Sequence, residues 1–322
     1  MKNYQGCRDT QTQAQKARNY TFNEVCAGAA PVNWVEKLED DWKHYPVRNQ
    51  DGSATCVCMT YATEQGILFN QKYGKWMDFS STYPYQQRKY PSNGGCTSED
   101  IYSIFPKLGN VYDTYMPSQN MNDSQISLIP KETYYDDLAK TYKVARIALP
   151  LDFETIASTI QETGKGVMVW FGIGHGEWTD MPQYLGNPPA SNHSVTAIDF
   201  TLKNGKKYLI IQDSYGLVTA AKGLRLISEE YFKARCFLAS YLMTFQLNND
   251  ALTERPKFDG SIMSAQRCFK WEGLFPLNVA DTENWGPITR NACIAFQKRY
   301  NIEPALGNLG PITIAKLSEV YK

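Results

Sequence analysis

Val47-Arg48-Asn49-Gln50-Asp51-Gly52-Ser53-Ala54-Thr55-Cys56 ends on a thiol at the threshold of an apolar helical pattern. A cysteine becomes a useful nucleophile when a neighbour takes its proton and fixed donors hold the oxyanion it creates. Gln50, six residues before the thiol, carries an amide N–H donor. Thr55 is placed to cap a helix that begins at Cys56, and Gly52-Ser53 lets the backbone fold back between the two. Across 55–69, Cys58, Tyr61, Ala62, Gln65 and Phe69 recur at helical spacing, which predicts a buried helix.

A base and its orienter emerge from arithmetic further along. Val195, Ala197, Ile198, Phe200 and Leu202 form one apolar run and Tyr208, Leu209, Ile210 and Ile211 the next, with Lys203-Asn204-Gly205-Lys206 between them. Asn-Gly is a strong tight-turn signal. A two-residue turn at Asn204-Gly205 pairs residues whose numbers sum to 409, so Asp213 faces Thr196 and His193 faces Gly216. His193 and Asp213 then share one end of a hairpin, about three residues out of register, a gap that a bulge or a flared end closes.

Composition narrows the partners. The 322 residues carry 33 basic and 33 acidic side chains, with no block of like charge. That argues against nucleic acid or an anionic membrane as the main partner. Nothing at Met1-Lys2-Asn3-Tyr4-Gln5-Gly6 reads as a secretory signal, and no stretch of about 18 apolar residues spans a membrane. The chain is therefore read as made in the cytoplasm, reaching any outside site by lysis, a non-standard route or a particle. Eight scattered cysteines form no zinc pattern, because Cys56-Val57-Cys58 lacks a second pair. No metal and no cofactor are called for. Cys7 with Cys26 is a candidate disulfide, weighed against two free thiols, and Cys293 is read as core.

Four segments are expected: an extension at 1–28, a main domain at 29–247, a linker at 248–261 and a small unit at 262–322. Further helices are expected at 98–108 and 152–163, and strands at 144–149, 166–171, 194–202, 207–213 and 224–227. Helices first and strands later make the class α+β, with largely antiparallel pairing.

Gln50-(x)5-Cys56, Asn93-Gly94-Gly95, Asn192-His193-Ser194-Val195 and Gln212-Asp213-Ser214-Tyr215-Gly216, in that order, resemble the papain-like cysteine peptidases. Pro31-Val32-Asn33-Trp34 resembles the family's mature N-terminal strand, and the likeness covers about residues 30–245. The resemblance implies a two-lobed fold, with a helical lobe and an antiparallel β lobe. It makes Cys56 the nucleophile, His193 its base and acid, Gln50 the side-chain oxyanion donor and Asp213 the orienter. Asn93, Gly94, Gly95 and Asn192 then line the substrate cleft.

This chain departs from the family's pattern. Asp213 stands where Asn is usual, so that position is either an ionised carboxylate or a neutral buried acid. Val57 replaces the tryptophan after the thiol, and Tyr215 the one that shields the orienter. Ser53 and Ser92 occupy the places of the usual disulfide. Zymogen control by a large pro-segment is not expected. Cys58 and His175 are the rival nucleophile and base, set against a core contact and a loop surface. His44 has no partner in view, and Glu39-Asp40-Asp41 reads as a solvated loop.

Near the end, Trp285-Gly286-Pro287-Ile288-Thr289 recurs 24 residues later as Leu309-Gly310-Pro311-Ile312-Thr313. Each places Pro at a first helical position. With a helix near 264–274 and Ile288, Ala292, Ala295 and Phe296 on one face, this region resembles the three-helix peptidoglycan-binding domain of cell-wall enzymes. The two resemblances together imply a cysteine endopeptidase held at bacterial peptidoglycan, phage-encoded or exported, acting on protein or peptide. The alternatives are a silent structural or peptide-binding component of a virion or envelope, and a lysin that cuts cross-bridges.

Overall fold

The helix that begins at the thiol, α1 (Cys56–Tyr73), is buried on every side through Phe69. The computed structural model describes residues 6–16, 30–218, 221–245, 255–275 and 281–322. These form two compact units, one within Met1–Glu132 and Val144–Phe245, the other within Thr133–Lys143 and Gln246–Lys322. A helix buried all round must satisfy its polar side chains internally. Gln65 therefore accepts from Asn110 at 2.7 Å, and Glu64 meets Arg146. Gly74, at φ 67°, ends α1 in the left-handed conformation and returns its N–H to Asn70.

Strands β1 (Cys7–Arg8) and β2 (Cys96–Thr97) form a small parallel pair. The remaining strands are β3 (Val144–Leu149), β4 (Val167–Gly174), β5 (Pro189–Lys203), β6 (Lys206–Gln212), β7 (Leu224–Ser228) and β8 (Cys236–Phe245). They make one antiparallel sheet in the order β3-β8-β4-β5-β6-β7. Helix α2 (Phe153–Thr163) starts on Asp152, whose carboxylate accepts the Thr155 N–H. Helix α3 (Glu229–Arg235) starts on Ser228 in the same way. Phe153, Ile156 and Ile160 of α2 and Tyr231 and Phe232 of α3 share a core with Val169, Phe171, Val195 and Ile211 of the sheet. Each such side chain contributes roughly 1.5–3 kcal/mol on burial. This α+β arrangement agrees with the expected class.

Local detail differs from expectation in three places. Residues 98–108 are helical as expected, but a π turn at Asp100–Ile104 interrupts the regular helix before Phe105–Leu108. Asp100 is held by the Thr97 N–H and hydroxyl and by the Lys89 N–H, and Pro106 has no N–H to continue a regular ladder. Residues 31–34 make no strand. Trp34 instead packs between Phe153 and Phe200, and only Glu36 bridges to Leu202. Strand β8, in the interior of the sheet, and helix α3 were not anticipated.

In the second unit, helices α4 (Ile262–Trp271), α5 (Pro287–Arg299) and α6 (Pro311–Val320) enclose Phe269, Cys293, Phe296 and Leu317. The repeat has a structural reason. Gln266 donates to Asn284 O and Thr289 Oγ1, and Gln297 donates to Asn308 O and Thr313 Oγ1. Each buried amide clamps one Gly-Pro-Ile-Thr helix start. Among the described residues no helix is long and apolar enough to cross a membrane.

Candidate active site

Asp51 and Gly52 take positive φ (43° and 76°), turning the chain so that the Ser53 N–H and hydroxyl both reach Gln50 O. This tight turn places Cys56 at the first position of α1, where unpaired N–H groups and the helix dipole favour negative charge. Thr55 occupies the capping position but does not cap with its side chain, because Ser53 Oγ takes its hydroxyl at 2.6 Å. Further along, Ser194 Oγ donates to Thr60 Oγ1, and Thr60 donates to the Cys56 carbonyl. Helix and sheet are thus tied together one turn from the thiol.

The hairpin forms as the turn predicts, with Lys203 opposite Lys206 and Asp199 opposite Ile210. A bulge between Ala197 and Asp199 then moves the register, so Thr196 faces Gln212 rather than Asp213. His193 and Asp213 meet at 2.7 Å through Nε2 and Oδ1. With Nε2 engaged, Nδ1 is the other ring nitrogen, 3.5 Å from Tyr215 Oη, and the Cys56 thiol helps to raise the imidazole's pKa.

Asp213 is ionised. Oδ1 accepts from His193 and the Ser214 N–H, and Oδ2 from Trp178 Nε1 at 2.9 Å and Arg225 Nε at 2.8 Å. Burial alone would raise its pKa, but His193 and Arg225 outweigh that and hold it down at about 2. Burial opposes a charged His193, yet the Asp213 carboxylate wins and lifts the imidazole to about 9. The Cys56 thiol falls to about 5, chiefly through a hydrogen bond from Cys7 and against burial, with His193 and the Ser194 N–H adding to the fall. From about pH 5 to about 9 the site therefore holds a thiolate beside an imidazolium.

Trp178 and Arg225 were missed by sequence reasoning. Trp178 lies edge-on to His193 (5.4 Å, 89°) and Tyr215 stacks on its other side (4.6 Å, 9°). A tryptophan thus lies beside both Asp213 and His193, supplied by the β4–β5 connection rather than by position 215. Arg225 arrives from β7, with its guanidinium over the Trp178 ring. A basic residue in a strand otherwise buried was the one available signal.

Gln50 is buried and its amide is already fixed. Nε2 donates to Ser53 O at 2.6 Å and Oε1 accepts from Ser214 Oγ at 2.6 Å. An amide nitrogen has two N–H groups, so one remains beyond the Ser53 bond. Asn93 and Gly94 line a cavity of ≈ 810 Å³ with Tyr85, Arg88, Asp123 and Ile129. Gly94 and Gly95 both adopt positive φ before the chain enters β2.

Sequence reading assigned residues 1–28 no role at the site, yet residues 6–8 run across it. Cys96 N–H donates to Gly6 O at 3.2 Å from one side, and Asn192 Nδ2 donates to Cys7 O at 2.8 Å from the other. A Cβ on Gly6 would lie 2.7 Å from both Cys56 Sγ and Asn192 O. Beneath this segment Cys56 is 1% and His193 2% exposed. Cys7 is itself buried; Cys26, its candidate disulfide partner, lies outside the described residues.

The rivals sit elsewhere. Cys58 is buried with its sulfur 3.5 Å from that of Cys96. His175 and His44 are exposed, the latter 3.3 Å from Glu39 O. Among the described residues no cluster of three metal-binding side chains forms.

No protein-family model and no curated protein sequence matches the chain. Solved structures do. Xylellain, a cysteine protease from Xylella fastidiosa, superposes with a TM-score of 0.54 at 14% identity, over 68% of this chain and 97% of that one. The proform of the ragweed pollen allergen Amb a 11, a cysteine protease, gives 0.50 at 16% identity, over 68% of each chain. At such identities the likeness speaks for architecture, and the architecture is the papain-like fold of the cysteine proteases.

Proposed function

We propose that the chain is a cysteine endopeptidase that hydrolyses peptide bonds through an acyl-enzyme on Cys56. The observation that carries this reading is the pinned imidazole: Nε2 is held on the buried Asp213 carboxylate, and the ring and the Cys56 thiol at a helix N-terminus each favour the other's charged form. The thiolate attacks the scissile carbonyl. The Cys56 N–H and the Gln50 amide hold the oxyanion, each donor worth roughly 3 kcal/mol. His193 protonates the leaving amine, and water then enters with His193 as base. The substrate peptide lies between Asn93-Gly94-Gly95 and Asn192 once residues 6–8 have withdrawn.

The repeat-bearing C-terminal unit is the proposed anchor to bacterial peptidoglycan, for a phage-encoded enzyme that acts at a cell wall or in a virion. Its support is the doubled Gly-Pro-Ile-Thr helix start. Protein substrates are favoured over wall cross-bridges, because peptidoglycan stems carry D-residues that a cleft for L-peptides rejects. The covered thiol favours a second reading, a catalytically silent component that keeps the fold.

Digestion of a peptide library by this chain and by its Cys56→Ala variant tests the first reading. Cleavage by the former alone supports it. Absence of cleavage, with Cys56 alkylated by iodoacetamide no faster than free cysteine, supports the silent component. Co-sedimentation with purified walls tests the anchor, and soluble peptides released from those walls would indicate the lysin.

A further inference from the structure

We propose that Cys7 and Cys56 form a reversible disulfide, making the N-terminal segment an oxidant-driven cap on the nucleophile. The placement of the segment carries the inference. Gly6 packs its backbone against the Cys56 sulfur, at a point where any side chain would collide with it and with Asn192 O. The neighbouring residue, Cys7, is a buried free cysteine whose thiol acts on that of Cys56 more strongly than any other group. Its backbone is held in register from both walls: Gly6 O by Cys96, Cys7 O by Asn192, and the Thr10 N–H by Ser98 Oγ at 2.7 Å.

The chemistry divides unequally between the two thiols. Cys56 is the reactive thiolate, while burial keeps Cys7 protonated, well above the ordinary thiol range. With hydrogen peroxide as oxidant, the Cys56 thiolate attacks one peroxide oxygen and the O–O bond breaks. The departing hydroxide takes a proton to leave as water, and Cys56 becomes a sulfenic acid. Cys7 sulfur then attacks the Cys56 sulfur, and the sulfenic hydroxyl leaves with the Cys7 proton as a second water. The two thiols are oxidised by two electrons in all and the peroxide is reduced. A small dithiol reverses the step by exchange.

The other close thiols give the competing outcome. Cys96 pairs with Cys7 across β1 and β2, and its sulfur lies 3.5 Å from that of Cys58. Both are buried.

The test uses the full chain, treated with hydrogen peroxide and then digested without reduction. We expect the Cys7 and Cys56 peptides to be linked, with the loss of two hydrogens. Iodoacetamide labelling of Cys56 should fall at least about tenfold, since a disulfide sulfur is no nucleophile, and dithiothreitol should restore it. In Cys7→Ser the sulfenic acid has no resolving thiol, so Cys56 passes to sulfinic acid and dithiothreitol no longer restores labelling. Gly6→Ala displaces the segment and should both speed labelling of the reduced chain and lower the yield of linked peptide. A link between Cys58 and Cys96 alone, or Cys7→Ser recovering as fully as the parent, overturns the proposal. Every readout is sulfur chemistry, so failure here and failure to cut peptides are separate results.

Discussion

Glu64 and Asp213 are both fully buried carboxylates facing an arginine, and they end at opposite protonation tendencies. Glu64, eight residues into the helix from Cys56, is met by Arg146 and by the Met168 N–H at 3.2 Å. Burial prevails there and pushes it up to about 7. Asp213 has four donors arriving from His193, Ser214, Trp178 and Arg225, and it is held at about 2. A buried charge is tolerated when enough oriented donors replace its water, and one cation with one amide is fewer than the site supplies. The helix-backing pair is scaffold, while the donor-rich carboxylate sets the charge of the imidazole.

The two signs are separable by pH. Asp213 titrates lower in the native state than its ordinary 3.8, so its contribution of about 2 kcal/mol is present above pH 4 and lost as pH falls towards 2. Glu64 titrates higher than its ordinary 4.5, so the native state holds a proton that the unfolded chain has released. Its effect is a loss of stability as pH rises from 4.5 through about 7.

The largest effect is expected for Arg146→Met, which strands Glu64 without its cation. Urea unfolding should show a loss of about 3–5 kcal/mol at pH 8 and a smaller one at pH 5, where the carboxyl goes neutral. Equal losses at both pH values would mean that Glu64 does not carry the cost.

Asp213→Asn comes next. It leaves the buried Arg225 with only the exposed Asp180, 4.0 Å away, as counter-charge, for a loss of about 3 kcal/mol. It also lowers the His193 pKa from about 9. The acid limb of Cys56 alkylation, expected near pH 5 in the parent, should then move upward. An unmoved limb would dissociate the carboxylate from the thiol.

Trp178→Phe keeps the ring and removes one donor. It should cost about 1 kcal/mol and shift the alkylation profile less than Asp213→Asn does. A larger shift would make the indole, rather than the carboxylate, the controlling group. The smallest effect is expected for Glu64→Gln combined with Arg146→Met, which removes both charges. Its stability should fall within about 1 kcal/mol of the parent, and a deficit as large as that of Arg146→Met alone would break the contrast drawn here.

Much of the site was legible because local rules placed it. The Asn204-Gly205 turn fixes its own register, and helical spacing after Thr55 marks α1. The two-state question at position 213 was not legible, since its answer lies with Trp178 and Arg225, 35 residues before and 12 after. Strand β8 escaped because its run of Leu, Ala, Ser, Tyr and Met has neither the alternation of a half-buried strand nor a Val or Ile. The repeat at 285–289 and 309–313 was visible as a pattern, but its cause, the Gln266 and Gln297 clamps, was not.

Sequence alone determined the α+β class, the thiol at a helix start, and a hairpin that carries a histidine and an aspartate to one end. Each follows from interactions among near neighbours, where spacing and turn chemistry leave few conformations open. The tertiary structure alone decided the one-residue bulge that shifts the hairpin register, the ionisation of Asp213, and the seating of Gly6 on Cys56. These depend on groups distant along the chain meeting in a space without water, where donor count and a missing Cβ govern charge and access.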